Sequence, residues 1–312
     1  MSQAFTRRDR VSRTPALVLA VVLLAAGCAA GSPLVLPVRL EPERLTAPVD
    51  IGPLTDYESA VRSIAAVIVA ELGLPLPRRF TLFVYPTREA YERGLTRDGH
   101  MLRGRAAEVA QYSVGLGQHR RLFVNDGALR DAPQSATVRI LAHELTHLAQ
   151  YELSSGRRGS SEQWLREGMA DWVTSRVLER FGAGTSVYRR QRALRTVAPV
   201  LPTLEHDQLD LVDLGRPLGW ETRHLRDGGQ LTYGLALLLT EDLIRRRGFE
   251  SLVDYFRAFA ESDDRFGHFH SAFGLSLDDF EAHALNRLRD EAQATELVPA
   301  PGRLDTDSEP DA

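Results

Sequence analysis

The chain concentrates its chemistry between Ile140 and Gln150, which reads I-L-A-H-E-L-T-H-L-A-Q. His143, Glu144 and His147 form H-E-x-x-H on an apolar, helix-prone stretch. A helix advances by about 100° per residue, so His143 and His147 fall on one face, one turn apart. Two imidazoles at that spacing can hold one Zn²⁺. Glu144 lies beside them, where it could take a proton from a water at the metal.

Two histidines do not complete a catalytic zinc site, which takes three protein ligands and keeps a position open. The pattern H-E-x-x-H-x-x-G-x-x-H fails here, because Gln150 and Leu153 stand where Gly and His are needed. The inverted order H-x-x-E-H is absent, and no cysteine follows Cys28. Beyond a Gly/Ser/Arg loop comes W-L-R-E-G-M-A-D-W, Trp164 to Trp172. Glu167 is the best remaining third ligand. A short connection lets its helix pack antiparallel to the first and bring the carboxylate to the imidazoles. Asp171 lies one turn further on, placed to accept the second ring N–H of His143 and fix its tautomer. Trp164 and Trp172 are expected to wall the site against water.

H-E-L-T-H followed by W-L-R-E-G-M-A-D-W resembles the gluzincins, in particular the peptidase MA-like proteins, in which H-E-x-x-H is followed by E-G-x-A on the next helix. The resemblance is specific from about Ile140 to Val173. It extends weakly to the upstream strands, to 230–248 and to F-G-L-S-L-D-D-F-E-A at Phe273 to Ala282. It implies His143, His147 and Glu167 as ligands of one Zn²⁺ per chain, Glu144 as general base and Asp171 as outer partner. The implied chemistry is metal-assisted hydrolysis of a peptide bond in a peptide or protein substrate. Such sites usually add a donor for the developing oxyanion. Tyr233, after a Gly-Gly turn, is the first choice, then His224 and Tyr151. A non-catalytic zinc-binding envelope lipoprotein acting as a binding module is the alternative function.

The N-terminus bears on location. Arg7, Arg8, Arg10 and Arg13 precede an apolar run from Ala16 to Ala26, followed by Gly27 and Cys28. That layout is a secretory signal peptide, too short in its apolar part to anchor across a bilayer. L-A-A-G-C resembles a bacterial lipobox, which would make Cys28 the lipidated first residue of an exported, membrane-anchored protein of the cell envelope. With one Cys no intramolecular disulfide can form. All 38 basic residues are Arg, yet the net charge is only −4, which gives no reason to expect a nucleic-acid partner.

Four segments follow. Residues 1–28 are signal peptide with lipobox, 29–53 a Pro-rich tether, 54–291 a zincin-like metallopeptidase domain, and 292–312 an acidic disordered tail. The fold class is α+β, with a small N-terminal mixed sheet and helices, the active-site helix, and a mainly helical C-terminal subdomain. Strands are expected at 79–85, 110–117 and 120–124. Helices are expected from Thr55 to Leu72, Arg88 to Gly94, Pro133 to Leu153, Glu162 to Phe181, Ser186 to Thr196, Gln230 to Arg247, Phe249 to Ala260 and Leu277 to Arg289. Pro199 to Gly229 reads as a long loop.

Overall fold

The computed structural model describes residues 32–45, 54–204 and 209–296. The expected signal peptide, the lipobox with Cys28, residues 46–53 and the chain from 297 onward lie outside the described residues.

Four strands form one mixed sheet in the order β1-β2-β4-β3: β1 (Leu34–Arg39), β2 (Arg79–Tyr85), β3 (Gly115–Gln118) and β4 (Arg121–Asn125). β2 and β4 run parallel. β1 lies antiparallel to β2, with Leu34 opposite Val84, and β3 antiparallel to β4, with Gly115 opposite Val124. Side chains alternate across a strand, so β2 feeds two cores. Phe80, Leu82 and Val84 join Leu122 and Val124 on one face. Tyr85 joins Phe123 on the other, with Phe83 packed beside them. A parallel pair buried on both faces needs apolar residues in both registers, and R-F-T-L-F-V-Y supplies them.

The stretch read as a tether is in part structural. Residues 34–39 are the edge strand of the sheet, and Val38 and Leu40 are buried. Pro37 is tolerated because an edge strand has one unpaired side. The prolines around it hid the alternation.

Helices cover both faces. α1 (Tyr57–Ala66) starts at Asp56 rather than Thr55, the Asp56 side chain accepting from the Ser59 amide at 2.8 Å. α2 (Arg88–Arg97) and α3 (Arg103–Tyr112) lie over the second core. α3 replaces the first half of the strand expected from Ala110. Its buried Ala106, Val109 and Ala110 are spaced for a helix, but small residues give that period little amplitude. The two motif helices are α4 (Gln134–Leu153), preceded by Pro133, and α5 (Gln163–Arg180).

After α6 (Ser186–Val197) the expected loop is largely helical. It holds a 3₁₀ segment at Ala198–Thr203, one turn at Leu211–Leu214, and α7 (Pro217–Asp227). Pro217 opens α7 at a first-turn position, where the missing N–H costs nothing. α8 (Gly229–Arg247), α9 (Phe249–Ala258), α10 (Arg265–Phe273) and α11 (Leu277–Glu296) complete the chain. α10 was not anticipated. α11 runs past Ala292, where the tail was expected to begin, and buries that residue. The observed class is α+β with a small mixed sheet and mostly helices. Among the described residues no helix is long and apolar enough to cross a membrane.

Candidate metal centre

The site lies where α4, α5 and β3 meet, and three glycines make that approach possible. A Cβ on Gly117 would lie 2.6 Å from the Glu144 carbonyl oxygen and 2.9 Å from the His147 Cβ. One on Gly115 would lie 2.8 Å from the Glu144 Cγ. Two residues apart, they clear one face of β3 for α4. On α5, a Cβ on Gly168 would sit 2.3 Å from the Ala236 carbonyl oxygen of α8. Glycine beside Glu167 thus lets α8 press α5 toward the site.

His143, His147 and Glu167 each offer a ligand atom, all within 4.8 Å of one another, and this group could hold a metal ion. The Oε2 atom of Glu167 stands 3.1 Å from the His143 Nε2 and 3.5 Å from the His147 Nε2. Donors at zinc distances in tetrahedral array are separated by roughly 3.3 Å, so these spacings bracket the required edge. Two imidazole nitrogens and one carboxylate oxygen are a donor set that suits Zn²⁺.

The far side of each ligand is tied down. The Nδ1–H of His143 donates to Asp171 Oδ1 at 3.1 Å. The Nδ1–H of His147 donates to Gln150 Oε1 at 3.0 Å, and the Gln150 amide donates to the Arg166 carbonyl at 2.9 Å. Gln163 donates to the Glu167 Oε1 at 2.7 Å, leaving Oε2 toward the histidines. Both rings are therefore turned so that Nε2 faces the centre. Sequence reasoning placed Asp171 in this role but missed Gln150 and Gln163. Their signal was spacing alone: Gln150 is one helical turn after His147 and Gln163 one turn before Glu167.

Glu144 is buried and accepts the Gly117 amide N–H at 2.5 Å. Burial pushes its carboxyl above the ordinary value, and the nearby Glu167 adds to the rise. Burial works against the charged form of His143, but Asp171 and then Glu167 outweigh it and hold its pKa well above the usual histidine range. Burial also opposes ionisation of Glu167, yet His147 and His143 hold it well below the carboxylate range.

Tyr233 stands with its ring centre 6.0 Å from that of His143, edge-on. His224 packs 5.8 Å from Tyr233, on the next ring out from His143. Tyr151, the third, lies beneath the Arg166 guanidinium and against His119. The two tryptophans expected to wall the site do other work. Trp164 stacks on Phe280 at 5.9 Å, and Trp172 on Phe249 at 4.6 Å. Each faces the packing of α5 rather than its ligand side. The tryptophan that packs nearest this cluster is Trp220, edge-on at 5.2 Å from Tyr233. It sits on α7, within the segment read as a loop.

Compared with protein-family models, curated proteins and solved structures, the chain matches none.

Proposed function

We propose that this chain is a zinc-dependent peptidase of the gluzincin type, with a zincin-like fold. The observation that carries the reading is the position of the Glu167 Oε2, within 3.5 Å of both histidine Nε2 atoms, with the Glu144 carboxylate beside them. His143, His147 and Glu167 would hold the ion. A zinc ion there supplies Lewis acidity, which polarises a carbonyl and makes water a stronger acid.

The protein's own groups do the rest. Glu144 takes a proton from the attacking water and returns it to the leaving amine. Burial raises its carboxyl above the ordinary value, which makes the carboxylate a stronger base toward the water. Asp171 and Gln150 keep the two rings in the tautomer that presents Nε2. The Gly117 amide aims the Glu144 carboxylate. Tyr233, packed against His143, would donate to charge developing on the substrate carbonyl, with His224 behind it as the second choice. Export and lipid attachment at Cys28 belong to the same proposal, which places the activity at a bacterial envelope membrane. Lipid labelling that persists in a Cys28→Ser variant would contradict that part.

The test is Glu144→Gln. The variant should keep its zinc and lose hydrolysis of a mixed peptide library by about 10²–10⁴-fold. Unchanged turnover would remove Glu144 from the mechanism. Zinc in the wild-type chain with no hydrolysis would instead point to the binding-module reading.

A further inference from the structure

The flank of the centre carries a surface that the metal chemistry does not use. Leu102 precedes α3 as its N-cap residue, and Arg105 and Tyr112 share one side of the helix, seven residues apart. On α7, Leu218, Glu221, His224 and Leu225 do the same. The two sides meet through side chains. Arg105 donates to Glu221, and the Tyr112 ring lies 5.3 Å from that of His224. Around these contacts the leucines are bare: Leu102 is 81% exposed, Leu218 76% and Leu225 71%. Four of the exposed large apolar residues among those described (Leu102, Tyr112, Leu218 and Leu225) thus lie on the α3 and α7 segments that flank the site.

This surface packs back onto the candidate metal ligands. Ring contacts run from Tyr112 to His224, from His224 to Tyr233 and from Tyr233 to His143. α3 also leads within three residues into β3, where the Gly117 amide holds Glu144. Leucine side chains left in water at the approach to a buried site are stabilised once apolar surface covers them. Resting on the peptidase reading above, we propose that the facing sides of α3 and α7 are the substrate-recognition surface of this centre, and that they take extended peptide segments carrying large apolar side chains. Arg105 and Glu221 stand between the two leucine-bearing sides. Glu108 and Glu221 both pair with Arg105, so the cation at the middle of this surface is already neutralised and offers little to an anionic bilayer.

The experiment compares the zinc-loaded wild-type chain with Leu218→Ser/Leu225→Ser and, separately, Leu102→Ser. All three positions are exposed, so the variants should fold and retain zinc. Two sets of fluorogenic peptides of equal length are used, one rich in Leu and Phe, the other in Ser, Gln and Gly. The wild type should favour the apolar set, and each variant should raise KM for that set on the order of tenfold with kcat little changed. A preference that is absent, or present and unmoved by the substitutions, would overturn the recognition surface while leaving the peptidase intact. If zinc is bound but neither set is cleaved, calorimetry with the apolar peptides decides. Binding weakened in the variants supports the surface although the hydrolase reading has failed; equal or no binding overturns both. Vesicles of phosphatidylcholine and phosphatidylglycerol form the last arm. Loss of vesicle binding with peptide binding unchanged would assign the leucines to a bilayer and overturn the proposal.

Discussion

Gln150 accepts the Nδ1–H of His147 at 3.0 Å and fixes which nitrogen of that ring faces the centre. The contact gives a use to the residue at which the chain departs from the longer H-E-x-x-H-x-x-G-x-x-H pattern. The amide is fully buried and spends its own N–H on the Arg166 carbonyl, so its orientation is set by the backbone of α5. Replacing it with Leu should lower zinc affinity by about 10–100-fold without unfolding the chain. Competition against a chromophoric chelator reads this directly, and wild-type affinity in Gln150→Leu would show that the bond orients nothing of consequence.

Gly168 should be the least replaceable glycine of the motif region. A methyl there would meet the Ala236 carbonyl oxygen at 2.3 Å and the Thr240 Oγ1 at 2.0 Å, and the first of these is backbone that cannot rotate away. Alanine gains about 1 kcal/mol of helix propensity over glycine. Overpacking at a helix crossing costs about 1–3 kcal/mol or more. Gly168→Ala is expected to destabilise on balance by about 2 kcal/mol, visible in the urea midpoint. A midpoint at or above wild type would mean that α5 and α8 can separate without cost.

Glu162, just before α5, gives the fold a pH dependence of definite sign. Burial pushes its carboxyl up to about 7, against the pull of Arg265, which donates to it at 2.7 Å. The folded chain therefore binds this proton more tightly than the unfolded chain does. The stability it contributes is fully present below the ordinary value of 4.5 and is lost as pH rises through about 7. The fall amounts to about 3 kcal/mol across that window. Denaturation of wild type and Glu162→Gln at pH 4.5 and pH 7.5 should show this fall in the wild type alone. Parallel profiles would exclude Glu162 as its source.

The centre was legible because its chemistry sits on two long helices with strong signals. Helical spacing pairs His143 with His147 and Glu167 with Asp171, elimination and the gluzincin resemblance join the two pairs, and the structure brings all four together. What stayed hidden lacked either amplitude or a distinctive residue type. α3 is built on alanines, and α7 begins at a proline, which also marks loops. Pro37 masks the alternation of β1, although the strand runs through it. Trp164 and Trp172 bracket the motif in sequence but face Phe280 and Phe249. A helix seats neighbours in sequence on different sides, and only packing decides which side meets the site. Gln150 needed knowledge of which ring nitrogen of His147 was free, and Gln163 of which Glu167 oxygen faces away from the histidines, both facts of three dimensions.

Metal content is the most direct measure of whether His143, His147 and Glu167 act as one ligand set. The purified chain, dialysed against metal-free buffer and analysed by atomic emission, should retain one zinc per molecule. Glu167→Ala should retain little, because two imidazoles alone leave the ion weakly held. A wild-type chain with no zinc, or a Glu167→Ala variant as fully loaded as the wild type, would contradict the three-ligand centre.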